Sequence, residues 1–240
     1  TDAQKAVDIV LKYCPQIPFW PQLPRRDMKE GMVAQFSEGL PCLKLDDKGL
    51  AFNAENKEKE LEKFYEKVIE KDFDQFKISP DYARGLYAFR ERLNKADLKE
   101  VKAVKCHVTG PFTFAAGLKD EEGIALLHNE VFFQAIIKGL AMKALWQIKL
   151  LKAFGKKIII FIDEPYLACL GSGFTPINKE LVMKYLKELT REIKSEDVLI
   201  GVHCCGNTDW PVFTDTEGID IINFDAFGFL DKLLLYADNL

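Results

Sequence analysis

His203, Cys204 and Cys205 follow the apolar run Val198-Leu199-Ile200-Gly201-Val202 and precede Gly206-Asn207, which reads as a buried strand delivering imidazole and thiol groups into a loop. Residues two apart on a strand share a face, so His203 and Cys205 are expected to point one way and Cys204 the other. Imidazole nitrogen and thiolate sulfur are the donors a tetrahedral zinc ion prefers, and a catalytic zinc takes three protein ligands and keeps one position open. The same residues also describe a packed cysteine beside a histidine satisfied by backbone, since free cysteine is commonly a small core residue and the spacing of a four-ligand finger is absent.

Polar residues close three further apolar segments. His107 and Thr109 end the first, and Gly110-Pro111-Phe112-Thr113 turns out of it, with Gly110 able to admit a ligand close to the backbone. Asp163 and Glu164 end the second, where carboxylates bind a substrate amine, act as acid and base, or cap the next segment through its backbone N–H groups. Asp225 ends the last and is a candidate oxygen ligand for the same metal as His203 and Cys205. Trp210, after Asn207-Thr208-Asp209, is either a pocket wall or a packing residue, and Cys169 and His128 read as packing and surface positions.

Those strand ends need a scaffold, and the chain supplies a regular one. Helices are expected at residues 3–13, 26–36, 55–70, 81–93, 129–154 and 178–194 from apolar positions at helical spacing. Strands are expected at 101–108, 157–162, 198–202 and 220–224, with a proline-rich strand end near 17–24. Asp46-Asp47-Lys48-Gly49 between short apolar runs predicts a hairpin insertion at 42–52. Near-continuous apolar strands alternating with helices indicate an α/β protein with a parallel sheet covered on both faces, and polar residues at successive strand ends favour a (β/α)8 TIM-type barrel. Only five or six strand and helix units are present. The expectation is therefore a single barrel domain spanning residues 1–240 and incomplete at both ends, a piece of a longer barrel that starts at Thr1 without Met.

Composition narrows the partners. With 240 residues, 48% hydrophobic and 29% charged, the chain has enough apolar material for one large core. A net charge of -4 disfavours a general nucleic-acid surface, and the alternating charges of residues 56–63 describe a solvated helix face. No apolar run approaches the ~20 residues of a membrane span and no leader pattern opens the chain. Six scattered cysteines suit a reducing, cytoplasmic setting.

Taken together, the motifs resemble the catalytic barrel of cobalamin-independent methionine synthase and its uroporphyrinogen-decarboxylase-like relatives. Thr109-Gly110-Pro111-Phe112-Thr113 is similar to the Gly-Pro-x-Thr turn of that family, Ile162-Asp163-Glu164-Pro165 to its Asp-Glu-Pro strand end, and His203-Cys204-Cys205 to its His-x-Cys zinc pair. Ile222-Asn223-Phe224-Asp225-Ala226 resembles the next strand, and Met32-Val33-x-x-Phe36-x-Glu38 a helix near the homocysteine pocket.

The resemblance implies a zinc-dependent methyltransferase acting on a thiol such as homocysteine, in methionine biosynthesis, with a folate or a corrinoid protein as methyl donor. Zinc would bind the thiol and lower its pKa. His203, Cys205 and Asp225 would be the metal ligands. Asp163 would take the substrate amino group, Thr109, Gly110 and Trp210 would border the substrate, and Glu164 would orient it, move a proton or cap a segment. Departures accompany the likeness. The family's last cysteine ligand and its opening Gly-Ser-(Phe or Leu)-Pro strand fall outside this chain, Asp225 stands where the synthase has Glu, and Pro24-Arg25-Arg26-Asp27 lacks a matching Glu. The alternatives are a decarboxylase-like enzyme on a tetrapyrrole, with Arg25 and Arg26 holding its carboxylates, or a non-catalytic barrel that binds a corrinoid or tetrapyrrole.

Overall fold

The computed structural model describes residues 2–170 and 177–239. Helix α1 (Ala3–Tyr13) starts at Asp2, whose carboxylate accepts from the N–H groups of Gln4 and Lys5. Thr1, the other candidate cap, lies outside the described residues. The hairpin forms at the expected place, with β1 (Leu43–Asp46) antiparallel to β2 (Gly49–Phe52). Helices α2 (Lys57–Ile69) and α3 (Arg84–Leu93) precede the main sheet.

That sheet consists of β3 (Ala103–Thr109), β4 (Lys157–Asp163), β5 (Val198–Cys204) and β6 (Ile221–Phe224), all parallel and side by side in chain order. Between them run α4 (Pro111–Ala116), α5 (Glu130–Lys152), α6 (Lys179–Ile193) and α7 (Pro211–Thr214), and α8 (Ala226–Leu233) follows β6. The proline-rich segment supplies an edge: Phe19 makes a parallel bridge to Lys105, whose N–H donates to the carbonyl of Pro18 at 2.9 Å. The architecture is thus α/β with a parallel sheet flanked by helices. Among the described residues it has four strands and this bridge, fewer than the eight that close a barrel.

Strand alternation separates two faces. Val104, Cys106 and Val108, with Ile158, Ile160, Ile162, Val198, Ile200, Val202 and Cys204, are buried in the main core with α5 and α6. The opposite face carries Ala103, Ile159 and Phe161 in a small apolar patch, with polar residues above it. Gly201 is required on that face, because a Cβ there would lie 2.6 Å from the Phe161 ring.

Two expectations need correction. Residues 26–36 do not form a helix; they make two 3₁₀ turns, Met28–Glu30 and Ala34–Phe36, with the extended Gly31 between them. Buried Glu30 helps fix this irregular path, accepting from Arg26 Nε at 3.1 Å and from the N–H of Arg84 at 2.7 Å. Helix α5, whose 23 residues include Lys138, Lys143 and Lys149, is after all long and apolar enough to cross a membrane, yet 78% of its apolar window is buried within the fold. Its uniform apolarity is that of a central core helix.

Candidate active site at the strand ends

Register places four polar residues in one row across the carboxyl ends of the parallel strands. Thr109 pairs with Asp163, Asp163 with His203, and His203 with Asn223, all on the same face. Such a row collects side chains from segments far apart in sequence onto a rigid edge. Three of the four are sequence candidates. Asn223 was missed, because an Asn within a short apolar strand gives no signal until its neighbour across the ladder is known.

His203 and Asn223 form the most defined pair of the row. The Nδ1 of His203 lies 2.6 Å from Asn223 Oδ1, so as oriented Nδ1 donates, which in the neutral tautomer leaves the lone pair on Nε2. Cys205, two residues on, is exposed, whereas Cys204 turns into the core, where burial pushes its thiol up to about 11. The expected division between the two cysteines follows from alternation. All six cysteines are free.

The donor set fits zinc in kind, with one imidazole nitrogen and one exposed thiol on a shared strand end. It is short by one in number: among the described residues, no three His, Cys, Asp or Glu side chains gather as a metal site. Asp225 is exposed and caps α8, accepting from the N–H groups of Phe227 at 3.1 Å and Gly228 at 3.3 Å.

Glu164 has a different setting from Asp163 although the two are adjacent. Its carboxylate is fully buried and accepts from the N–H groups of Phe112 and Thr113, both at 2.9 Å, and from Thr113 Oγ1 at 2.7 Å. It therefore closes the first turn of α4 from the neighbouring loop. Burial pushes its carboxyl up to about 7 against the pull of those three donors. Gly110 belongs to the same device: a Cβ on it would lie 2.2 Å from Glu164 Cδ. Its missing side chain makes room for a carboxylate of this chain, not for the backbone approach of a ligand. Thr109 is buried, with its hydroxyl donating to the carbonyl of Met32 at 2.6 Å.

Trp210 is 1% exposed, packs against Phe224 at 5.3 Å between ring centroids, and donates its indole N–H to Asn207. Of its two expected roles, it fills the packing one. Of the two arginines considered for tetrapyrrole carboxylates, Arg26 is already paired with buried Glu30 at 3.1 Å. A cleft of about 440 Å³ lined by Leu40, Glu60, Phe64, Gln75 and Phe76 shares no residue with the row.

Below the row, β3 presents Lys105 and His107, whose roles the sequence did not indicate. His107 is buried, stacked on Trp20 at 4.0 Å between ring centroids, and its Nε2 has no partner among the described residues. Burial holds it well below the ordinary histidine range, so the ring is neutral. The Lys105 ammonium lies 4.5 Å from the Phe161 ring centroid and 5.4 Å from that of Phe19. Burial pushes its pKa down and the Asp163 carboxylate pushes back. For Asp163 burial acts upward, while Lys105 and His203 pull downward.

No protein-family model matches the chain, and no curated protein is similar to it. The functional reading therefore rests on the motif resemblance together with the geometry of the strand ends.

Proposed function

We propose that this chain is a zinc-dependent methyltransferase acting on a small thiol such as homocysteine, with a folate or a corrinoid protein as methyl donor. In this reading the four-stranded sheet is part of a (β/α)8 barrel like that of methionine synthase. The observation that supports it best is the row Thr109, Asp163, His203 and Asn223 at the carboxyl ends of adjacent parallel strands, with exposed Cys205 beside it. Barrel enzymes perform their chemistry at that edge.

His203 Nε2 and Cys205 Sγ would hold the metal. When bound, zinc supplies a Lewis acid that keeps a substrate thiol ionised at neutral pH. Asn223 orients the His203 ring through Nδ1, a supporting contact of the kind that tunes metal ligands. Asp163, on the same face and without a hydrogen-bond partner among the described side chains, receives the substrate amino group. Glu164 shapes the turn into α4 and moves no proton to substrate, since its carboxylate is enclosed by Phe112 and Thr113. A third donor would complete a catalytic site. Asp225 could serve only by releasing the N–H groups of Phe227 and Gly228, and we assign it to the cap.

Elemental analysis of the purified full-length protein and its Cys205→Ser variant tests the reading. The expected result is about one zinc per chain, lost in the variant while its circular dichroism is unchanged. A folded wild-type protein that carries no zinc and takes none up would overturn it.

A further inference from the structure

We propose that the cleft between α2 and residues 39–41 and 75–76 binds a monocarboxylate with an apolar tail, of the class of medium-chain fatty acids, whose carboxylate pairs with Lys143 beneath the cleft floor. The cleft shares no residue with the strand-end row, so this site stands or falls independently of the methyltransferase reading.

Lys143 lies on α5 and is fully buried. Among the described residues no carboxylate lies within 4.0 Å of its Nζ. Its one hydrogen-bond contact is the Phe76 carbonyl at 3.5 Å, longer than the about 2.7 to 3.2 Å of a good N–H···O bond. An ammonium group so placed disfavours folding unless an anion pairs with it. Burial accordingly pushes its pKa down to about 7.

Two residues join this amine to the cleft of about 440 Å³. Phe76 lines the cleft and supplies the carbonyl that Nζ meets. Leu40, which also lines it, touches α5 one turn before Lys143: a Cβ on Gly139 would lie 2.0 Å from Leu40 Cδ2 and 3.5 Å from the Phe64 ring. Gly139 thus leaves a notch on the Lys143 face of the helix, and Leu40 fills it. The stretch that carries Leu40 has positive φ at Gly39, +78°, and at Cys42, +60°. A cysteine adopts that conformation at a cost, which is recovered when the stretch relaxes. Withdrawal of Leu40 therefore extends the cleft toward Nζ. Charge and shape select what replaces it. Leu40, Phe64 and Phe76 are apolar and buried, whereas the charged lining residues Glu60, Lys63, Glu66 and Lys67 are at least partly exposed. One buried ammonium group balances one negative charge; a neutral ligand leaves it unpaired, and a phosphate dianion adds an excess charge to an apolar place. A monocarboxylate whose tail takes the place of Leu40 against Phe64 and Phe76 meets both demands.

Calorimetric titration of the wild-type protein at pH 7 with octanoate, 1-octanol, octylamine and acetate tests this. Octanoate is expected to bind at least about 10 times more tightly than each of the other three, the value of a charge-assisted contact with a buried group. Lys143→Met keeps the apolar stem and removes a buried charge, so the fold is retained, and it should reduce octanoate to the affinity of 1-octanol. Leu40→Ala empties the notch at Gly139 and should tighten octanoate binding several-fold. Octanoate binding no tighter than that of 1-octanol in the wild type, no octanoate binding at millimolar concentration, undiminished binding by folded Lys143→Met, or weakened binding by folded Leu40→Ala would each overturn the proposal. The wild-type comparison needs no variant, so misfolding of either one does not remove the test.

Discussion

The ends of β3 and β4 and the ends of β5 and β6 carry similar residue types in opposite states. At the first pair, Asp163 apart, the polar groups are used up by the protein itself: the Thr109 hydroxyl goes to Met32, and Glu164 takes three donors from the turn into α4. At the second pair His203 makes one ring contact, Cys205 is exposed, and Asp225 sits in solvent as a cap. The contrast separates architecture from chemistry. The Gly-Pro-x-Thr and Asp-Glu-Pro segments hold two loops together, and of their carboxylates only Asp163 faces outward from that joint. Asp163, His203 and Cys205 are the groups on which the proposed function draws.

The strongest way to break this contrast is to disturb the joint at its tightest point. Gly110→Ala would put a methyl carbon 2.2 Å from Glu164 Cδ, and neither the buried carboxylate nor the capped helix has room to withdraw. The expected loss is about 3 kcal/mol or more, in the range of severe core overpacking. Cys205→Ser, at an exposed position, should stay within roughly 0.5 kcal/mol of wild type. Chemical denaturation of both variants measures the difference; equal stabilities would show that the joint yields.

Glu164 gives the contrast a pH signature. Its folded pKa of about 7 exceeds the ordinary 4.5, so the folded state binds the proton more tightly than the unfolded chain does. The resulting stabilisation is fully present below about pH 4.5 and is lost as the pH rises through 7. Relative to Glu164→Gln, wild type should lose about 3 kcal/mol across that window, at 1.36 kcal/mol per pKa unit. A difference that stays flat with pH would mean that the three donors hold the group ionised throughout.

Much of the scaffold was legible because its signals are local. The four parallel strands, the hairpin at Asp46–Gly49 and the helices α1, α5 and α6 follow from apolar period and turn residues, and they formed within a few residues of expectation. Residues 26–36 deceived because apolar spacing there serves a turn pinned by Glu30, whose partners Arg26 and Arg84 no periodicity reveals. In the site, strand alternation correctly divided Cys204 from Cys205. The partner of Glu164 was not legible, since it lies 51 residues away in sequence. Nor were Asn223 and Lys105, which gain meaning only from the register of neighbouring strands.

Asn223 offers a milder test of the open end. Removing its Oδ1 in Asn223→Ala leaves His203 free to rotate and to shift tautomer, while the strand stays paired with β5. Metal affinity in the proposed site should fall about 10 to 100-fold, the usual effect of losing a contact behind a ligand. Stability should change by less than about 1 kcal/mol, as for most substitutions away from a core. Competition against a chelating indicator reads the affinity, and an unchanged value would reduce the His203–Asn223 contact to simple packing.

The smallest effect tests Asp225, where metal ligand and helix cap make different demands on one carboxylate. A cap needs an oxygen that accepts from Phe227 and Gly228, which asparagine provides; a zinc ligand in this setting needs the negative charge. Asp225→Ala should therefore cost about 1 kcal/mol through loss of the cap, and Asp225→Asn only a few tenths. Both variants should keep the wild-type metal content. If Asp225→Asn keeps its stability but loses zinc, the carboxylate leaves the helix end for the metal, and the two ends of the sheet are more alike in use than their hydrogen bonds indicate.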